Sequence, residues 1–210
     1  LSRSRSRSLS GLVPTVESDK DNKPVHHRAD LVPADIATDV KISPYIRGNW
    51  SMRGPNMVAF IPENDWLPDT KYTVKIGKKL LNPDVRPDTR AASFTTPKLT
   101  ATIDSFNIYP TATNERTVVG VAVVSFNYPI STENFADRVS VKLGMHRVKF
   151  DVHFDRFNRT AIITTDPISV DDSTHTLRLK INRLTDLKKH ATTKKINAST
   201  IIESVDNLRS

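Results

Sequence analysis

Apolar and polar residues alternate with a period of two in short runs along most of this chain, and the runs are broken by Pro, Asn, Asp and Gly. That period places successive side chains on opposite faces of an extended strand. In Lys71–Ile76, for example, Tyr72, Val74 and Ile76 share one face, while Thr73 and Lys75 share the other. The same reading predicts strands at Thr38–Ser43, Arg47–Met52, Met57–Ile61, Lys71–Ile76 and Ala91–Thr95 in the first half. In the second half it predicts Ala101–Ile108, Arg116–Phe126, Val139–Leu143, Val148–Phe154, Ala161–Thr165, His175–Ile181 and Lys194–Ile201. Thr132–Val139 has room for one helical turn, and no long segment carries a helical period. Many short strands with frequent turn signals predict an all-β, antiparallel sandwich architecture.

The segment leading into Lys71–Ile76 is the most specific local signal. In "DWLPDTKY", Pro68 fixes its own φ, and Asp69 and Thr70 favour a turn through side-chain to backbone hydrogen bonds. A Tyr just after such a turn is placed to bury its ring between two sheets and send its hydroxyl back to a backbone group upstream, the logic of a tyrosine corner. Trp66 is expected to cap the end of the core, Leu67 to Thr70 to turn the chain, and the Tyr72 hydroxyl to satisfy a buried acceptor.

The pattern echoes at a separation of 103 residues, where "DTKYTV" (Asp69–Val74) aligns with "DSTHTL" (Asp172–Leu177) and "MVAF" (Met57–Phe60) with "TAII" (Thr160–Ile163). The echo predicts two related domains, residues 11–98 and 99–210, joined near Thr95–Thr100 and preceded by a flexible Arg/Ser-rich lead-in at residues 1–10. His175 stands where the first copy has Tyr72. It reads as a degenerate corner with a partly exposed ring, with a pH switch as the functional alternative.

Composition narrows the chemistry. Of 210 residues, 37% are hydrophobic, enough for ordinary cores, and none is Cys, so disulfides, thiol nucleophiles and a Cys-derived thioester are absent from the chain. The net charge of +8 is spread over both halves, concentrated only at Arg3, Arg5 and Arg7, at Lys78 and Lys79, and in the run Lys188, Lys189, His190, Lys194, Lys195. No aromatic residue interleaves with the last run, which therefore reads as a solvated loop or strand end and not as a nucleic-acid platform. His26 and His27 are adjacent in a polar stretch, and no metal pair is read from them. Asp151, His153 and Asp155 alternate in "FDVHFD" and read as a solvent-facing polar row, with cation binding as the alternative. Nucleophile-elbow, phosphate-loop and zinc-helix motifs are missing, so the expectation is a protein that is not an enzyme and has no cofactor. Sequons at Asn49, Asn158 and Asn197 matter only in a glycosylating secretory pathway. The chain begins at Leu1, which reads as the start of a fragment.

The stretch Ile42–Leu80 resembles the first immunoglobulin-like module of bacterial α2-macroglobulins, through Ser43, Pro44, Gly48, Trp50, Phe60, Pro62, Leu67, Pro68, Tyr72, Thr73 and Val74. "SFTTPKLTATIDSFNIYP" and "VAVVSFNYPISTENFADRVSV" resemble the start of the next, macroglobulin-type module, so the resemblance covers roughly residues 11 to 205. It implies two consecutive immunoglobulin-like (macroglobulin-type) β-sandwich domains at the front of a periplasmic, lipid-anchored protease trap. The other domains of that parent chain and, through it, proteases are the implied partners. The bait segment and thioester that such a trap uses are not identifiable here, so the structural residues Trp50, Trp66, Leu67, Pro68, Tyr72 and His175 are the residues singled out. The alternative is a pair of sandwich modules from a bacterial surface adhesin or binding protein.

Overall fold

In a computed structural model, residues 37–54, 57–78, 90–112 and 114–204 are described. The Arg/Ser-rich lead-in, His26, His27 and Lys79 lie outside them. The structure is all-β, built from antiparallel sheets, and divides into two compact units, Leu1–Pro97 and Lys98–Ser210.

In the second unit, β6 (Ala101–Thr111), β7 (Asn114–Phe126), β10 (Phe150–Phe154) and β11 (Thr160–Thr165) form one sheet in the order β6-β7-β11-β10, and β12 (Ile168–Ser169) extends the β11 side of β7. The second sheet has the order β9-β8-β13-β14, from β8 (Val139–Leu143), β9 (His146–Val148), β13 (His175–Ile181) and β14 (Ile196–Ile202). In chain order these are strands A, B, E, D and C′, C, F, G of an immunoglobulin-like sandwich. Alternation explains why the sheets pair face to face. Val118, Ala122, Val124 and Phe126 of β7 and Ala161 and Ile163 of β11 are buried in one core with Val141 of β8 and Leu177, Leu179 and Ile181 of β13. A single helical turn, α1 (Phe135–Arg138), buries Phe135 edge-on against Phe126 and Phe154 and closes one end of that core.

The first unit repeats the later part of this order. β1 (Val40–Ser43), β4 (Lys71–Ile76) and β5 (Ala91–Thr95) pair as β1-β4-β5, the C-F-G order, and β2 (Gly48–Gly54) pairs with β3 (Met57–Pro62) as the D-E hairpin. Trp50 and Phe60 of the hairpin pack with Tyr72 and Phe94 of the sheet. A Cβ on Gly48 would meet the Ile61 carbonyl oxygen at 2.5 Å, so the bare glycine is what lets the two hairpin strands close up there. Both halves of the sequence echo fall on corresponding strands: Met57–Phe60 opens β3 as Thr160–Ile163 opens β11, and the Asp-Thr and Asp-Ser turns lead into β4 and β13.

One strand expected from the sequence, Val148–Phe154, is two. β9 pairs with β8 and β10 pairs with β11, so the chain changes sheet at Lys149. Alternation continues across the break, and only the choice of pairing partner reveals it. The two-residue β12 is too short to show any period.

On β7, a Cβ at Gly120 would meet Cδ2 of the fully buried Leu177 at 2.5 Å and Cγ2 of Thr165 at 3.3 Å. Gly120→Val should therefore destabilise the second unit by about 1–3 kcal/mol despite the better strand propensity of valine. Urea unfolding followed by circular dichroism checks it, and an unchanged midpoint would mean that the sheets separate freely at this point.

Candidate functional site

The residues singled out in the sequence converge, with the exception of His175, on the turn between β3 and β4. Tyr72 is 1% exposed, its ring stacked on Phe94 with centroids 5.5 Å apart and edge-on to Trp66 at 4.7 Å. Its hydroxyl accepts the Leu67 N–H at 3.2 Å, five residues upstream. The partner of the hydroxyl is thus a backbone donor and not the acceptor expected from the sequence. The Leu67 carbonyl in turn accepts the Thr96 hydroxyl, whose oxygen also takes the Thr70 N–H at 2.9 Å. The Thr70 hydroxyl donates to the Pro68 carbonyl at 2.9 Å, and Asp69, at φ 50, donates its N–H to the Pro97 carbonyl at 2.9 Å. Asp tolerates that left-handed conformation better than most residues because its short side chain bonds locally.

Trp66 is buried in an aromatic cluster, 5.2 Å from Phe94 and 5.8 Å from Phe60, and Trp50 packs on Phe60 at 4.8 Å. The buried Trp66 Nε1–H has no hydrogen-bond partner among the described residues. Leu67 is half-buried and Pro68 buried beneath the turn. Thr96 and Phe94 were missed in the sequence because they lie on or just past β5, some 25 residues on, and only the β4–β5 pairing of Tyr72 with Phe94 brings them here.

His175 makes no corner. It is half-exposed, and its Nε2 lies 3.0 and 3.1 Å from the two carboxylate oxygens of Asp171. Asp171 also accepts the Ser173 N–H at 2.8 Å, and the hydrogen bond from His175, followed by that from Ser173, lowers its carboxyl pKa below the ordinary value. The second unit therefore ties the approach to β13 through a side-chain pair at the surface. In the "FDVHFD" row, Asp151 and His153 are exposed, but Asp155 lies past the end of β10 and caps the hairpin, accepting the Arg159 and Thr160 N–H groups. Among the described residues no three His, Asp or Glu side chains group as a metal site.

A cleft of ≈ 220 Å³ opens at one end of the second unit, between the connection from β7 to β8 and the connection from β13 to β14. Phe135 and Leu184 floor it, and Arg138, Arg183 and Lys189 reach it from the two connections. The sequence had marked Lys188, Lys189 and His190 only as a solvated run, because Arg138 on the facing connection is far off in the chain.

No family profile matches the chain. A curated α2-macroglobulin of Pasteurella multocida (strain Pm70) is 24% identical over 152 residues, covering 66% of this chain and 8% of the relative. The match supports a distant relationship between the two.

Tyr72→Phe should cost ~1–3 kcal/mol, since it strands the Leu67 N–H under the turn, whereas His175→Phe, which loses only a surface pair, should cost less. Both Trp residues lie in the first unit, so their fluorescence in urea isolates the effect of Tyr72→Phe. Equal midpoints for that variant and the wild type would remove the hydroxyl from the account. A depressed carboxyl stabilises the fold above its ordinary pKa, and this contribution fades as pH falls through the lowered value. In a carboxyl-detected NMR titration the Asp171 midpoint should lie below the ordinary value and rise towards it in His175→Phe. No change in the variant would assign the shift to Ser173.

Proposed function

We propose that this chain is a non-catalytic portion of a bacterial α2-macroglobulin, a broad-spectrum protease trap of the periplasm held to the membrane by a lipid anchor elsewhere in the parent protein. The observation that carries the reading is the alignment with the Pasteurella α2-macroglobulin over 66% of the chain. The A-B-E-D and C′-C-F-G sheets of the second unit and the tyrosine corner of the first support it, because rigid sandwiches of this kind serve to space and orient the domains that work on a partner. Fold alone does not specify function, so the alignment carries more weight here than the architecture.

In this role the chain supplies stiffness. Within the first unit the Asp69 N–H holds the Pro97 carbonyl and fixes the turn into β4. With no Cys, the chain contributes nothing to a covalent thioester step. Its partners are then the remaining domains of the parent polypeptide, and proteases meet the assembly through those domains.

The test uses the full-length parent. A protease mixed with it should lose activity towards a protein substrate while keeping activity towards a small chromogenic peptide, since enclosure blocks only large substrates. The 210-residue chain alone should inhibit neither. Osmotic-shock fractionation of the native host should release the parent, or leave it in the membrane fraction, but not in the cytosol. A parent that is cleaved without any loss of proteolysis, or one made only of repeated sandwiches, would move the reading to a surface adhesin.

A further inference from the structure

We propose that the cleft at the loop end of the second unit is a docking site for a short acidic peptide segment of another polypeptide. The walls of the cleft are ordered by the backbone. Ser131 donates its N–H to the Thr185 carbonyl at 2.9 Å, Asn182 to the Arg138 carbonyl at 2.8 Å and Leu187 to the Pro129 carbonyl at 3.3 Å. The buried Asp186 carboxylate accepts the Ala191 N–H at 2.6 Å and the Lys188 N–H at 3.1 Å, and this folds the second connection into a fixed shape. The two connections correspond to the B–C and F–G loops, which lie at the same end of an immunoglobulin-like sandwich and are carried by its rigid sheets.

The charge in the cleft is unbalanced. Lys189 pairs with Glu133 at 3.2 Å, and both are largely exposed. Arg138 and Arg183 line the same cleft, and neither guanidinium has a carboxylate partner among the described residues. Three cations and one carboxylate, Glu133, line the cleft, so its wall keeps an excess of positive charge that an incoming carboxylate offsets. A guanidinium presents its donors in a planar fork that matches a carboxylate with two parallel hydrogen bonds. The hydroxyls of Ser131 and Thr185 supply further polar groups on the lining. Lys188 and the 54%-exposed Leu187 follow on the same connection, so an acidic segment that also carries an aliphatic side chain finds both kinds of contact.

The same features argue against a nucleic acid. Phe135 is 2% exposed on the floor and offers no face on which a base can stack. The inference stands independently of the protease-trap reading, since it follows from the cleft alone.

Isothermal titration of the full 210-residue chain at low salt, with a short peptide of glutamates flanking one leucine, tests it. The peptide should bind, its glutamine counterpart should not, and the affinity should fall as salt rises. Arg138→Gln combined with Arg183→Gln should weaken binding about tenfold or more. Arg147→Gln combined with Lys149→Gln, which removes the same charge outside the cleft, should leave it unchanged. Arg138 and Arg183 are exposed, and a backbone amide spectrum of the double variant checks that the fold is intact. Three results overturn the proposal: no binding of the acidic peptide, equal losses in the two double variants, or binding of single-stranded RNA or inorganic phosphate in its place.

Discussion

A β-sheet can leave one face in water only if the other is covered, and both units are organised around meeting that requirement. In the second unit the inner positions of β7 and β11 are buried against those of β8 and β13, and Gly120 gives up its side chain so that Leu177 can enter. In the first unit the same need is met with fewer and larger groups, as Trp50 and Phe60 of the hairpin pack against Tyr72 and Phe94 of the sheet. Aromatic side chains bury more area each, so a short hairpin covers the sheet with two residues where the second unit uses an aliphatic row.

The turn into the central strand shows how one side chain changes the means but not the outcome. A phenol ring buries its whole body and needs only one polar partner, so Tyr72 lies inside the core and spends its oxygen on the Leu67 N–H. An imidazole carries two polar nitrogens, and at the related position His175 stays at the surface, paired with the Asp171 carboxylate. Thr96 extends the first arrangement by holding Leu67 and Thr70 from the neighbouring strand, so that the turn is fixed from two directions. The second unit has a larger aliphatic core and ties its corresponding turn only at the surface.

In the second unit the sheets and the connections divide the labour. The inner positions of the sheets are apolar and buried, and the connections they carry place Arg138 and Arg183 on one cleft. A distant α2-macroglobulin relative, of which this chain spans 8%, sets the likeness in a much longer polypeptide.

Local rules made much of this readable from the residues. Alternation over Lys71–Ile76, Ala91–Thr95, Val139–Leu143 and His175–Ile181 fixes strands with those same bounds, and Pro68, Asp69 and Thr70 mark the turn, because side-chain period and turn chemistry act within a few residues. Alternation cannot say which strand a strand will pair with, so the change of sheet at Lys149 was hidden in an unbroken pattern. Nor does it say which way a polar group faces its partner, so the donor to Tyr72, the role of Thr96 and the Asp171–His175 pair appear only in three dimensions. The loop-end cleft lies furthest from the sequence, since Arg138 and Arg183 are 45 positions apart and line one cleft only because β8 and β13 pair side by side. Period and turn chemistry are local and the sequence alone determined them; partner choice depends on burying one sheet against another, and only the tertiary structure decided it.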